Sequence, residues 1–204
     1  AGVCLDTEIR ASSRVFQYVF RIFATGDVAL PAQGMQAIPE QLAERLPADS
    51  IRFNTRVESV DPGKVILASG KKIRADAIVV ATDGPEAERL LGKPAASGSC
   101  GEWCLYFEAR RPPVNAPYLI LNGEDKGWVN SLTIPSAVSP SYAPEGRSLI
   151  SVVVIGHQNE DANTVRTFVR RELLAWFGPT TDAWRHIKTY QISHALPEQR
   201  PPVP

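Results

Sequence analysis

The three histidines and three cysteines are the side chains of this sequence best suited to metal, nucleophilic or redox chemistry. Their spacing supports none of these. His157, His186 and His194 lack metal-ligand spacing, and none pairs with an obvious nucleophile. Cys100-Gly101-Glu102-Trp103-Cys104 is C-x3-C, not the C-x2-C of zinc or thioredoxin-like sites, and Cys104 reads as a small apolar strand residue. Cys4 stands apart, so no metal site and no disulfide framework is expected. Gly92-Lys93 is followed by proline and lacks the preceding glycine of a phosphate loop. None of the 14 glycines falls in G-x-G-x-x-G spacing, and G-x-S-x-G, H-E-x-x-H and acidic calcium loops are absent. Chemistry built from the chain's own nucleophiles or ligands is therefore not expected.

At 204 residues the chain can bury a substantial core in one or two domains. It is 44% hydrophobic and 22% charged, with 22 basic and 22 acidic residues. That balance gives no electrostatic reason to expect nucleic acid or an anionic membrane as partner. The pairs Arg110-Arg111 and Arg170-Arg171 read as solvated surface. There is no signal-peptide pattern and no apolar run of membrane-spanning length. The chain lacks an initiator methionine, begins in mid-pattern and ends in a proline-rich stretch, and it is read as a fragment of a longer protein.

The elements that must position any site centre on 51–91. Ile51-Arg52-Phe53 is a short extended run. Val57 to Val60 and Val65 to Leu67 form a hairpin around Asp61-Pro62-Gly63-Lys64, where proline presets φ and glycine takes a positive φ cheaply. Ala77 to Ala81 is apolar at every position, as in a strand buried on both faces. Asp83 caps the next helix, with Pro85 in its first turn, Glu86 at the capping-box position and Gly92 at its end. Upstream, Ser12 or Ser13 caps a helix whose Val15, Phe16, Val19, Phe20 and Phe23 form a stripe expected to pack in the core. Pro39 opens a second helix, with Ile38, Leu42, Ala43 and Leu46 inward. Lys93 to Gly101 reads as a crossing between domains. Downstream, strands are expected at 102–109, 118–121, 127–133, 148–155 and 188–194. Asn122-Gly123-Glu124-Asp125 is one of the turns between them. Asn163 caps a helix with Val165, Phe168, Val169, Leu173 and Trp176 inward, stopped at Gly178-Pro179.

The pattern I-R-x-N-x-x-V-x-S-V, turn, V-x-L-x-S-G, A-D-x-I-V-V-A-T over 51–82 resembles the middle of flavin-dependent amine oxidases and phytoene-desaturase-like oxidoreductases. The run from Gly26 to Ala43 and the run Tyr142-Ala143-Pro144-Glu145-Gly146-Arg147-Ser148-Leu149 resemble the same family, in its order. Leu30-Pro31-Ala32-Gln33-Gly34-Met35 and Ala143-Pro144-Glu145-Gly146 look closer to its desaturase branch.

The resemblance implies an α+β chain. A mixed, mainly antiparallel sheet with packed helices would form a substrate domain, over 1–30 and 97–197. The hairpin and buried strand of 31–96 would belong to an incomplete FAD-binding domain, and 198–204 would be a linker. It implies FAD as cofactor, with Val57 meeting its adenine end through backbone, and Ala81 and Thr82 approaching it. The family's dinucleotide fingerprint lies before the matched region, and its segment beside the isoalloxazine lies after Ala195-Leu196-Pro197, so the chain alone is expected to be inactive. Trp103, Tyr106, Tyr118 and Trp128 are the candidate wall for a small or lipophilic substrate, with core packing as their alternative. The flavin would carry the hydride step, so no catalytic side chain is assigned. Deprived of sheet neighbours, Ile78 to Ala81 would expose apolar surface and favour a dimer. The expected location is cytoplasmic or peripheral to a membrane. A non-catalytic α+β ligand- or protein-binding domain is the alternative, and it predicts a self-contained core.

Overall fold

The computed structural model describes residues 1–93, 98–114, 116–124 and 126–201. It is an α+β structure that separates into two compact units, residues 1–37 with 99–204, and residues 38–98.

In the larger unit, five strands form an antiparallel sheet. They are β4 (Ser99–Ala109), β5 (Leu119–Leu121), β6 (Val129–Thr133), β7 (Ser148–Ile155) and β8 (Arg185–Pro197), in the order β5-β6-β7-β4-β8. β4 alternates strictly. Trp103, Leu105, Phe107 and Ala109 are buried, and Glu102, Cys104, Tyr106 and Glu108 between them are half-buried. β4 lies opposite β7 as Trp103 to Val154, Leu105 to Val152 and Phe107 to Ile150, so one continuous apolar face results. Helix α5 (Ala162–Phe177) covers that face with Val165, Val169 and Leu173. Each such fully buried side chain contributes roughly 1.5–3 kcal/mol.

Strands 102–109, 118–121, 127–133 and 188–194 of the sequence reading are present with shifted ends, and 148–155 is unchanged. β8 runs on to Pro197 because bulges at Cys100/Glu102 and Tyr106/Phe107 keep it beside β4. β4 starts at Ser99, so the crossing expected through Gly101 stops earlier; its residues 94–97 lie outside the described residues, as do Asp125 of the predicted turn and 202–204 of the linker. α5 is capped by Asp161 rather than Asn163. The Asp161 carboxylate accepts the Asn163 and Thr164 backbone N–H groups at 2.9 and 3.0 Å and the Thr164 hydroxyl at 2.6 Å.

α1 (Ser13–Thr25) has the predicted cap, with Ser12 Oγ accepting the Arg14 N–H at 3.3 Å. Its phenylalanines do not enter the core: Phe16, Phe20 and Phe23 are 67%, 63% and 58% exposed. Only Val15 and Val19 are half-buried, beside Val3, Cys4, Leu196 and Pro197. Two segments with family-like sequence meet in this unit. Tyr142 Oη donates to the Pro31 carbonyl at 2.8 Å, and Ser141 Oγ donates to the Ala32 carbonyl.

In the smaller unit, β1 (Val57–Asp61), β2 (Lys64–Leu67) and β3 (Lys72–Arg74) form an antiparallel sheet in that order. Gly63 turns the hairpin at φ +75°, and Lys64 bridges Asp61 at 3.2 Å. α3 (Gly84–Leu91) begins at Asp83, whose Oδ1 accepts the Glu86 N–H at 3.1 Å, and ends at left-handed Gly92. Glu86 does not complete a capping box, because Arg89 takes its carboxylate at 2.6 Å. The same guanidinium donates to the Glu58 and Val57 carbonyls at 2.7 and 2.9 Å and ties α3 to β1.

Three expectations fail in or beside this unit. Residues 51–53 form no strand, and Phe53 is exposed. α2 (Ala37–Ala43) starts ahead of Pro39, and Ile38, Leu42 and Leu46 are exposed rather than inward. Residues 77–81 form no strand, and Val79 is 87% exposed. A strand needs a partner for its backbone N–H and C=O groups, and none among the described residues pairs with this run. Among the described residues no helix is long and apolar enough to cross a membrane.

Candidate functional site

The surface of the five-stranded sheet turned away from α5 gathers polar and aromatic side chains from several strands. Strand alternation places Glu102, Cys104, Tyr106 and Glu108 there from β4. Cross-strand pairing brings Ser151 and Val153 beside them from β7, and Lys188, Tyr190 and Ile192 from β8. β6 contributes Ser131 and Thr133, and β5 lends exposed Leu119 and Leu121 at the edge.

The centre is a pair of tyrosines. Tyr106 and Tyr190 meet edge to face with ring centroids 6.0 Å apart and planes at 85°. Lys188 Nζ lies 5.7 Å from the Tyr190 ring centroid. Cys104 Sγ and Ser151 Oγ are 3.6 Å apart beside Tyr106. Burial, with the Cys104 side chain next in importance, pushes the Tyr106 phenol up to about 12, so it remains a neutral hydroxyl through the physiological range.

Two carboxylates end the β4 row and differ in kind. Glu108 is held by Arg185 and by Arg147 at 3.1 Å, and the Arg185 hydrogen bond keeps its carboxyl below the usual range. Glu102 lies opposite Ile155 and Ile192, and its carboxylate makes no hydrogen bond or ion pair among the described residues. Burial alone pushes its carboxyl upward. The folded chain therefore holds the Glu102 proton more tightly than the unfolded chain does. Stability is lost as pH rises through the raised value, where the group ionises without a partner. Glu102→Gln is expected to raise Tm at neutral pH, with the gain shrinking as pH falls into the ordinary glutamate range. A set of melts from acid to neutral pH checks this, and an unchanged or lowered neutral Tm would contradict it.

The structure divides the four sequence-predicted aromatics. Tyr106 lies on the open face, and Tyr118 is exposed just before β5. Trp103 is on the α5 side at 2% exposure, its Nε1–H donating to the His157 carbonyl at 3.1 Å. Trp128 stacks between His157 at 3.9 Å and Phe168 at 4.2 Å, and so belongs with α5. The Glu172 carboxylate holds this corner by accepting the Trp128 and Val129 N–H groups at 2.8 and 3.1 Å. Sequence reasoning missed Tyr190, Glu102 and Ser151. The period-two run Lys188, Tyr190, Ile192 was the available signal for the first.

In the smaller unit, Val57 opens β1 half-buried, with its carbonyl bound by Arg89. Ala81 and Thr82 are exposed, and Thr82 Oγ1 donates to the Asp83 carbonyl at 3.2 Å. Val57 and the 81–82 pair thus share one unit.

A family model for flavin-containing amine oxidoreductases matches residues 1–201. The chain belongs to that family. No curated protein matches it at a significant level. Among solved structures, this amine oxidoreductase chain is similar to a candidate protoporphyrinogen oxidase from Exiguobacterium sp. 255-15. The TM-score is 0.67 at 16% identity, over 81% of this chain and 40% of that one. Reduced UDP-galactopyranose mutase gives 0.64 at 14% identity, over 92% of this chain and 47% of that one. A triple mutant of putrescine oxidase gives 0.58 at 12% identity, over 78% and 38%. These likenesses show the fold alone. The amine oxidoreductase chain spans less than half the length of each of these three proteins.

Proposed function

We propose that this chain supplies the substrate-binding wall, and part of the cofactor domain, of an FAD-dependent oxidoreductase that oxidises a small or lipophilic organic molecule. The observation that carries the proposal is the open sheet face. Tyr106, Tyr190, Val153, Ile192, Leu119 and Leu121 make it largely apolar, while Thr133 and Ser151 add hydroxyls that can orient a ligand. The raised Tyr106 phenol can donate a hydrogen bond there without ionising. Trp103 and Trp128 support the wall from behind, and Tyr118 extends its edge. Within the family we favour a phytoene-desaturase-like reaction, on the run from Leu30 to Met35 and the Ala143-Pro144-Glu145-Gly146 turn.

FAD, when bound, supplies the hydride acceptor. Val57, Ala81 and Thr82 fit it as rim contacts, since 81–82 is exposed and shares a unit with β1. They form no pyrophosphate cradle. The N-terminus of α3 carries the Asp83 and Glu86 carboxylates, which would repel a pyrophosphate. The chain alone is therefore expected to leave flavin fluorescence unquenched on titration, and a longer protein containing it to purify with FAD. The alternative, a self-contained binding domain, predicts no large exposed apolar face, and the exposure of Phe16, Phe20 and Val79 counts against it.

In the flavin-loaded protein, Tyr106→Ala with Tyr190→Ala is expected to raise KM on the order of tenfold while flavin content stays constant. Steady-state kinetics beside flavin absorbance reads both. A longer protein that purifies without flavin, or a pair of tyrosine variants with unchanged KM, would overturn the reading.

A further inference from the structure

A cavity of about 170 Å³ opens beside the second half of α5. Its apolar lining includes Phe107 from β4, Leu173 from α5 and Trp184 just before β8, and all three are buried. Strand alternation turns Phe107 toward α5, so the cavity lies behind the sheet and apart from the Tyr106 face. The Phe107 and Trp184 ring centroids are 6.4 Å apart and give it two aromatic walls. The volume is near the roughly 150 Å³ of an apolar cavity that takes up benzene. One ring-sized group therefore fits, whereas a flat surface cannot reach the floor.

Charge decides what that group must carry. Arg170 and Arg171 line the cavity too. Arg170 is half-buried, and its Nη1 donates to the Trp184 carbonyl at 3.2 Å, which fixes the guanidinium at this wall. Arg171 lies 4.8 Å from the Phe168 ring centroid. Arg166, one turn before Arg170, donates to Asn163 Oδ1 at 2.6 Å. None of these arginines enters an ion pair among the described residues. Asp182 also lines the cavity, but Arg170 meets its backbone carbonyl, at 3.5 Å, rather than its carboxylate. The uncompensated charge is felt nearby. His186 lies edge-on to Phe107 at 5.6 Å, and burial, followed by the Arg166 and then the Arg170 charge, holds its imidazole below the ordinary histidine range. A bare anion would satisfy the arginines and leave the aromatic walls uncovered. An uncharged ring would cover the walls and leave Arg170 without a counter-charge. A ring bearing one carboxylate does both.

We propose that this cavity binds a small aromatic carboxylate, with its ring against Phe107, Leu173 and Trp184 and its carboxylate on the Arg170 guanidinium. The site is separate from the proposed substrate wall, and its occupancy needs neither flavin nor substrate.

The test is isothermal titration calorimetry of the full chain with benzoate, and with benzyl alcohol and acetate as probes that lack the charge or the ring. Benzoate is expected to bind one to one, on the order of tenfold more tightly than either. Arg170→Gln should weaken benzoate on the order of tenfold and leave benzyl alcohol unchanged. Leu174→Trp enlarges an exposed side chain of the lining and should block both rings. Circular dichroism should show both variants folded. In proton–nitrogen correlation spectra, benzoate should move the Thr181 amide and the Trp184 indole most, since both residues line the cavity. No benzoate binding, or equal binding by Arg170→Gln, would overturn the proposal. Shifts centred on Tyr106 and Tyr190 would do the same, because benzoate would then sit on the open face. So would binding to this chain that disappears in a longer, flavin-loaded protein, because the rest of that protein would then fill the cavity.

Discussion

Trp103→Ala is expected to cost about 3–5 kcal/mol of stability, the most of any single truncation on β4. The indole is 2% exposed and lies in the cluster that α5 closes with Val165, Val169 and Leu173. Alanine would leave a cavity between elements already fixed by eight β4–β7 pairings, so little collapse can refill it. It would also remove the Trp103 Nε1–H from the His157 carbonyl, a smaller loss because that carbonyl still accepts the Glu160 N–H at 3.1 Å. For a chain of this length each kcal/mol moves Tm by about 2–4 °C, so the melt should shift by roughly 10 °C. Trp103→Phe keeps most of the volume and loses the hydrogen bond, and should cost much less. Equal losses for the two variants in urea unfolding would show that the hydrogen bond, not packing, dominates.

Gly127→Ala should be the second most damaging change, although Gly127 is an exposed loop residue. Its φ is +83°, which costs an L side chain about 1–2 kcal/mol. A Cβ there would also clash with the Glu172 carboxylate. That carboxylate accepts the Trp128 and Val129 N–H groups, so displacing it forfeits charge-assisted bonds worth about 1.5–3 kcal/mol. A total near 2.5–5 kcal/mol follows. Glu172→Ala alone breaks the same bonds. In the double variant the clash is gone and the bonds are lost only once, so the two costs should be clearly less than additive. Strict additivity in a double-mutant cycle would refute the steric account.

Local signals in the sequence translated well wherever a few neighbouring residues decide the outcome. Pro62-Gly63 turns the hairpin as read, Asp83 and Gly92 bound α3, Ser12 caps α1, and β7 occupies the predicted 148–155. The C-terminus of α5 at Gly178 was equally plain, whereas its start was misplaced by two residues because Asp161 accepts the Asn163 and Thr164 N–H groups and begins the helix before Asn163.

Facing was not legible. Trp103 and Tyr106 are three residues apart on one strand, hence on opposite faces. Which face receives α5 depends on a helix that follows some fifty residues later. β-bulges at Cys100/Glu102 and Tyr106/Phe107 decide which β8 residues meet Tyr106, and no composition rule marks them. The unbroken apolar run 77–81 carries strand propensity, but strand formation requires a hydrogen-bonding neighbour, and propensity cannot supply one. The α1 stripe fits the helical period whether it is buried or displayed; only tertiary packing assigns Val15 and Val19 to the body and leaves the three phenylalanines outside. The sequence by itself therefore determined the hairpin turn, the caps of α1 and α3, the strands of the larger sheet and the family. The tertiary structure decided which side of each element is a surface, because burial depends on partners distant in the chain.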